Sequence, residues 1–90
     1  SLSKIIEERD VLAAALEKLP IVERVYPSEA NWLLVKVDDA QALFDALLEK
    51  NIHVRNQSNI AGIEGTLRVT IGTKEQNRVL LNAIQSFIKN

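Results

Sequence analysis

Two arginines, Arg55 and Arg68, are the side chains of this sequence best suited to bind a charged small molecule. They lie 13 residues apart, in segments 52–55 and 66–71, where apolar and polar residues alternate. Because side chains of a β-strand point alternately to its two faces, both segments predict strands with an apolar face and an arginine-bearing face. Two guanidinium groups on one face suit a ligand with two anionic groups, since each can donate two parallel hydrogen bonds to a carboxylate or phosphate. The alternative is that both arginines only keep the solvent face of a half-buried sheet hydrated.

Side chains for other chemistry are sparse. His53 is the only histidine and is interpreted as a surface or hydrogen-bonding residue rather than a general base. No His, Cys or carboxylate cluster has the spacing of a metal site, and no nucleophile motif is present. Gly62 and Gly65 do not have the arrangement of a phosphate-binding loop, which opens a helix. The residues alone therefore predict a ligand-binding or packing module without a catalytic centre.

Composition limits the class of protein. A chain of 90 residues with 47% hydrophobic residues predicts one small domain with a packed core. Its 11 basic and 12 acidic residues give a net charge of −1, which argues against a nucleic-acid interface. No apolar segment approaches the roughly 20 residues that span a bilayer. The absence of cysteine fits a cytosolic protein.

The start of the chain suggests a piece of a longer protein. Residue 1 is Ser rather than Met, and a helical pattern begins at once without a signal-peptide pattern. The alternative is a complete protein that has been trimmed or cleaved from a tag.

Three helices are predicted from apolar residues that recur with a helical period, at residues 3–18, 40–50 and about 74–88. Pro20 ends the first, because the residue before a proline is disfavoured in a helix. The residues predicted to face the core are Leu2, Ile5, Ile6, Leu12, Ala13, Leu16 and Leu19 in the first helix, Ala40, Leu43, Phe44, Leu47 and Leu48 in the second, and Leu80, Leu81, Ile84, Phe87 and Ile88 in the third.

The helix ends carry recognisable capping residues. Asp38 or Asp39 can cap the second helix, and Asn51 can close it in the left-handed conformation. Thr73 with Gln76 predicts a capping box at the start of the third helix.

Four strands are predicted, at residues 21–26, 31–37, 52–55 and 66–71. The second is almost wholly apolar, which predicts a central strand covered on both faces. Trp32 within it is interpreted as core or sheet-face packing rather than a stacking platform, since no basic residues cluster around it in the sequence.

The order of these elements predicts the fold class. Helix, two strands, helix, two strands and helix (αββαββα) form an α+β two-layer sandwich, with the helices on one face of a small, mostly antiparallel sheet. Residues 27–29 are predicted as a turn and residues 56–65 as an irregular loop.

Nearly the whole chain resembles the C-terminal small domain of histidinol-phosphate aminotransferases, which belong to the fold-type I, class I/II pyridoxal-phosphate enzymes. The resemblance is carried by Arg55-Asn56-Gln57, by GTLRVTIGT at 65–73 and by the helix start KEQN at 74–77. Upstream, Leu19-Pro20 and PSEAN at 27–31, followed by an apolar strand, are also similar to that family.

The resemblance implies a parent enzyme that moves an amino group between histidinol phosphate and glutamate or 2-oxoglutarate, in cytoplasmic histidine biosynthesis and as a homodimer. Its large domain, absent from this chain, would bind pyridoxal 5'-phosphate on a Schiff-base lysine, and the small domain would close over the substrate. By resemblance, Arg68 would bind the substrate carboxylate and Arg55 the phosphate. Lys4 matches only the first letters of the lysine motif, so the chain alone is expected to be inactive.

Two other functions stay open at this point. The first is the small domain of another fold-type I aminotransferase or of a phospho-amino-acid decarboxylase, in which Arg68 keeps its role and only the ligand of Arg55 changes. The second is a free-standing α+β regulatory domain that binds a small molecule.

Overall fold

A computed structural model describes residues 1–89, which form three helices and one four-stranded sheet. The elements are α1 (Leu2–Glu17), β1 (Val22–Val25), β2 (Trp32–Val37), α2 (Ala40–Glu49), β3 (Arg55–Asn56), β4 (Thr66–Thr70) and α3 (Lys74–Lys89). The predicted αββαββα order and the α+β class are confirmed. Within the described residues, no helix is both long and apolar enough to cross a membrane.

The sheet has the strand order β1-β2-β4-β3, and every neighbouring pair is antiparallel. The two middle strands, β2 and β4, pair over Trp32–Val37 and Thr66–Thr70, whereas β3 contributes only two residues at one edge. Because β4 lies between β2 and β3, it hydrogen-bonds to both and joins the edge strand β3 to the rest of the sheet.

The core lies between the helices and one face of the sheet. Along β2 the side chains alternate between buried and half-buried, so the prediction that this strand is covered on both faces is wrong for the described residues. All three helices contribute to a single core cluster on one side of the sheet. Leu34 is apolar but lies half-buried on the other side, so the sequence of β2 did not indicate that only one face is covered. We call the second side the open face. Its members, placed by the strand register, are Arg24, Trp32, Leu34, Lys36, Arg55, Arg68 and Thr70.

Only the second half of α1 packs against this core. Leu12 and Leu16 are each 1% exposed. A 16-residue helix is about 24 Å long, so its first half extends past the packed part of the sheet. The prediction of inward-facing residues is therefore wrong for three side chains of α1, namely Leu2 (74%), Ile5 (41%) and Ile6 (41%). In α2 it is wrong for Leu48, which is 45% exposed.

The strand predicted at residues 52–55 is shorter in the structure. Asn51 has a φ of 60°, the left-handed conformation predicted for it, and the Ile52 N–H donates to the Leu47 carbonyl at 2.9 Å. The backbone after α2 is used to hydrogen-bond the last carbonyl groups of the helix. Residues 52–54 therefore connect the helix to the sheet, and only Arg55–Asn56 pairs with β4.

Both predicted helix caps are present. The Asp39 carboxylate accepts a hydrogen bond from the Ala42 N–H at 3.0 Å. The Gln76 N–H donates to Thr73 Oγ1 at 3.1 Å, and the Thr73 N–H donates to Gln76 Oε1 at 2.9 Å. This capping box fixes where α3 begins after β4.

Candidate anion-binding site

Arg55 and Arg68 are direct partners across the β3–β4 pair. Opposed residues in an antiparallel pair point to the same face, with Cβ atoms roughly 4.5–5.5 Å apart. This register places both arginines on the open face, as the alternation in the sequence predicted.

Both arginines are accessible to solvent. Arg55 is exposed and Arg68 is half-buried. They line an open groove of about 480 Å³, together with His53, Thr70 and the ring of Phe44 from α2. The groove is wide enough for a small anion and is open to solvent, so a ligand can reach both guanidinium groups.

Neither arginine of the groove has an acidic partner among residues 1–89. The ion pairs there are Arg9 with Asp10, at 3.7 Å, and Arg78 with Glu75 on α3. Two like charges directly opposed on a sheet destabilise it by up to about 1 kcal/mol. An anion bound between the arginines would remove this repulsion, so the groove favours negative ligands.

Trp32 holds one of the two guanidinium groups. The Arg68 Cζ atom lies 4.4 Å from the centroid of the Trp32 ring, in cation–π contact. Trp32 pairs with Thr70 on β4, and Arg68 is two residues from Thr70 on the same face. The interpretation of Trp32 as sheet-face packing is confirmed. The lack of a basic cluster around Trp32 in the sequence did not exclude a basic neighbour in the fold, because strand pairing brings Arg68 to the ring.

A second pair of cations lies on the open face. Arg24 on β1 pairs with Lys36 on β2, and its guanidinium lies 4.3 Å from the centroid of the Tyr26 ring. Hydrogen bonds from the backbone N–H groups of Glu64 and Gly62 lower the pKa of the Glu64 carboxyl, with a smaller contribution from the charge of Lys36. Lys36 therefore has an acidic neighbour in the loop before β4, unlike the arginines of the groove.

His53 is exposed and hydrogen-bonded, in line with its interpretation from sequence. Its Nε2 atom lies 2.8 Å from Asn51 Oδ1, on the connector between α2 and β3. It lines the same groove as Arg55, which adds an imidazole to the polar side chains within reach of a ligand there.

Asn77 fixes the junction that follows β4, a role that was not predicted from the sequence. Its side chain is 6% exposed, accepts from the Gly72 N–H at 2.9 Å and donates to the Gly72 carbonyl at 3.2 Å. A Cβ atom at Gly72 would lie 2.5 Å from Gln76 Oε1, so this glycine leaves room for the capping box. This role could have been predicted from the sequence, because Asn77 is the fourth residue of a helix that follows a strand and a glycine.

Comparison with known proteins identifies the family. The sequence model of aminotransferase class I and II matches residues 1–84. The chain belongs to the class I and II aminotransferase family.

Relatives within this aminotransferase family share nearly half of the residues. The chain is 45% identical over 83 residues to the histidinol-phosphate aminotransferase of Flavobacterium psychrophilum, covering 92% of the chain and 24% of the relative. It is 44% identical over 84 residues to the protein of that name from Xanthomonas axonopodis pv. citri, covering 93% and 23%. The chain thus spans about a quarter of the length of the curated relatives it matches.

Solved structures of similar proteins share the fold closely. The histidinol-phosphate aminotransferase of Clostridium acetobutylicum superimposes with a TM-score of 0.89 at 27% identity, over 96% of this chain and 27% of that one. The L-threonine-O-3-phosphate decarboxylase of Porphyromonas gingivalis gives 0.88 at 27% identity, over 98% and 28%.

Aminotransferases of class I and II generally depend on pyridoxal phosphate. A pyridoxal site needs a lysine for the cofactor aldehyde and usually an acidic partner for its ring nitrogen. The groove around Arg55 and Arg68 is lined by neither a lysine nor a carboxylate. Its residues fit an anionic ligand and do not fit the cofactor.

Proposed function

We propose that this chain is the small domain of a pyridoxal-phosphate-dependent histidinol-phosphate aminotransferase, in which it binds the anionic groups of the substrates. The observation that carries the proposal is the pair of opposed arginines on the open face, neither of which has an acidic partner within residues 1–89. The identity of about 45% to proteins named histidinol-phosphate aminotransferase supports the choice within the family.

The surroundings of the two arginines support different roles for them. Arg68 lies on a middle strand, is half-buried and is held by Trp32, so its direction is fixed. A fixed, partly desolvated guanidinium suits the carboxylate of glutamate or 2-oxoglutarate. Arg55 lies on the edge strand and is exposed, which leaves space for the bulkier phosphate of histidinol phosphate.

The anionic groups of the ligands support a site with two cations. Glutamate carries two carboxylates, and the phosphate of histidinol phosphate carries close to two negative charges at neutral pH. Each substrate therefore offers anionic groups to the two guanidinium groups, as two carboxylates in glutamate and as one phosphate in histidinol phosphate. One groove could in this way accept both amino donors of a transamination.

We further propose that the domain closes over the bound substrate. A small domain that carries the charge recognition would be drawn to the substrate held by the rest of the enzyme. Closure excludes water, which strengthens the ion pairs of both arginines. The reacting chemistry would be supplied by pyridoxal phosphate bound outside this chain, while this chain binds and orients the substrate.

The test is the kinetics of arginine variants in the complete enzyme that contains this domain. Single-turnover rates would be measured separately with glutamate and with histidinol phosphate. Arg68→Ala is expected to slow the glutamate reaction by about 10–100-fold, from the loss of a charge-assisted interaction. Steady-state turnover with both substrates should fall as well, because each cycle needs both reactions.

Arg55→Ala is expected to slow the histidinol phosphate reaction more than the glutamate reaction, because Arg55 is proposed to bind the phosphate. The control is Arg24→Ala, which removes a cation from the same sheet face outside the groove and should leave both reactions unchanged. Wild-type kinetics for Arg68→Ala, or equal losses with both substrates for Arg55→Ala, would contradict the assignment.

A phospho-amino-acid decarboxylase is the second candidate, because the decarboxylase structure fits almost as well as the aminotransferase structure. L-threonine O-3-phosphate carries a phosphate and a carboxylate in one molecule, which also matches two arginines. Offering the complete enzyme histidinol phosphate and threonine phosphate separates the two functions, and we expect turnover of the former.

A further inference from the structure

The two arginines of the groove are direct partners on the sheet, yet their environments pull them apart. Arg68 contacts Trp32 on β2, whereas Arg55 lies on β3. In the strand order, β2 and β3 lie on opposite sides of β4. The contact with Trp32 therefore draws the guanidinium of Arg68 across the sheet in the direction away from Arg55.

We propose that Trp32 is a positioning residue that sets the spacing between the two guanidinium groups. With Arg68 held toward β2, the groove matches a ligand whose two anionic groups are separated by a short carbon chain. If Arg68 were free, both guanidinium groups could converge on one small anion. The inference rests on the proposed function, because it takes the substrate groups to be the ligands of these arginines.

The indole ring is suited to this task for two reasons. Its face attracts a guanidinium without forming an ion pair, so the charge of Arg68 stays available to a ligand, whereas a carboxylate in the same place would neutralise it. The backbone of Trp32 is also fixed, because Ser28 Oγ donates to the Trp32 carbonyl at 2.7 Å and accepts from the Ala30 N–H at 3.0 Å. The ring is thus attached to the first residue of β2, whose backbone position is held by these hydrogen bonds.

Binding measurements on the 90-residue chain test the proposal. Calorimetry would compare glutarate, a dicarboxylate with the carbon chain of 2-oxoglutarate, with inorganic phosphate, a single compact anion. Trp32→Leu is expected to weaken glutarate binding about 3–30-fold, the range that corresponds to loss of a cation–π contact. Phosphate binding should be retained or strengthened, since the released Arg68 can converge with Arg55 on one compact anion.

Two further variants test whether an aromatic ring at position 32 is sufficient and whether the loss of any aromatic ring on the open face has the same effect. Trp32→Phe keeps an aromatic ring under Arg68 and should retain most of the glutarate affinity. Tyr26→Leu removes the ring under Arg24 on the same open face and should leave both ligands unaffected. A Trp32→Leu variant that loses both ligands equally, or neither, would overturn the positioning role. If the wild-type chain bound neither ligand, the proposed function itself would fail.

A spectroscopic measurement on the wild-type chain gives a readout that does not depend on folding of the Trp32 variants. Trp32 is the only tryptophan of the chain, so its fluorescence reports on its own contact with Arg68. Glutarate should change the emission of the wild-type chain with the dissociation constant found by calorimetry, and Arg68→Ala should abolish the change. An emission that stays constant at saturating glutarate would refute the proposal.

Discussion

Arg55 faces Arg68 directly across two antiparallel strands, so the hydrogen-bonded backbone itself sets two positive charges side by side. A sheet gains nothing from this arrangement, because opposed like charges destabilise it. The pair contrasts with Arg78 on α3, whose charge is matched by Glu75 one turn away. Stability and ligand binding should therefore respond in opposite directions when one of the opposed charges is removed.

Arg55→Gln is expected to stabilise the ligand-free chain by about 0.2–1 kcal/mol at low salt, because it removes the repulsion while keeping a polar side chain. The gain should shrink at high salt, where screening has already weakened the repulsion. Urea denaturation at low and high ionic strength measures both effects. Arg78→Gln is the control and should give no gain, since it breaks an ion pair. Destabilisation by Arg55→Gln at low salt would contradict the expected repulsion.

Inorganic phosphate is expected to raise the melting temperature of the 90-residue chain. At ten times its dissociation constant, a ligand that binds only the folded state adds about 1.4 kcal/mol, which corresponds to roughly 5–10 °C for a domain of this size. Thermal scans with phosphate and with sodium chloride at equal ionic strength separate binding from screening. Arg55→Gln and Arg68→Gln should each reduce the shift, and Arg24→Gln should not. A shift of equal size in all three variants would place phosphate elsewhere.

Asn77→Ala is expected to destabilise the chain by about 1–3 kcal/mol, because two hydrogen bonds to the half-buried Gly72, each worth about 0.5–1.5 kcal/mol, are lost. Chemical denaturation measures the loss. Asn82→Ala, at an exposed position of the same helix, is the matched control and should change stability little. An equal effect at both positions would show that helix propensity, rather than the link between β4 and α3, decides the outcome.

Glu64 should make a pH-dependent contribution to stability. Backbone hydrogen bonds, from its own N–H and that of Gly62, hold the pKa of its carboxyl below the usual value. A lowered folded-state pKa stabilises the chain above the unfolded-state value of about 4.3, and the contribution is lost as the pH falls through the lower folded value. The melting temperature of wild type should exceed that of Glu64→Gln at pH 7, and the difference should vanish in acid. A difference that does not vary with pH would exclude this carboxylate as its source.

Local chemistry in the sequence predicted much of this fold. The caps at Asp39 and Thr73 and the left-handed Asn51 depend on hydrogen bonds or backbone preferences within a few residues, and all three are present. The alternation around Arg55 and Arg68 also predicted their common face, because strand periodicity is a local property.

The misjudged features depend on contacts between distant residues. An apolar strand looks the same whether one or both of its faces are covered, so the half-exposed side of β2 was not predictable. Likewise, apolar residues recur along the whole of α1, but only the position of the sheet decides that Leu12 is buried and Leu2 is not. The contact between Trp32 and Arg68 joins residues far apart in the chain, and only the β2–β4 register brings them together.

The brevity of β3 has a consequence for the range of molecules the groove can accept. Arg68 is anchored on an interior strand, whereas Arg55 is carried by a two-residue border segment between a connector and a loop. Short border segments open locally at lower free energy than interior strands. Adjustment to a longer or shorter metabolite is therefore expected on the Arg55 side, and evolution could retune selectivity by changing the loop at 57–65 while leaving the Arg68 anchor intact.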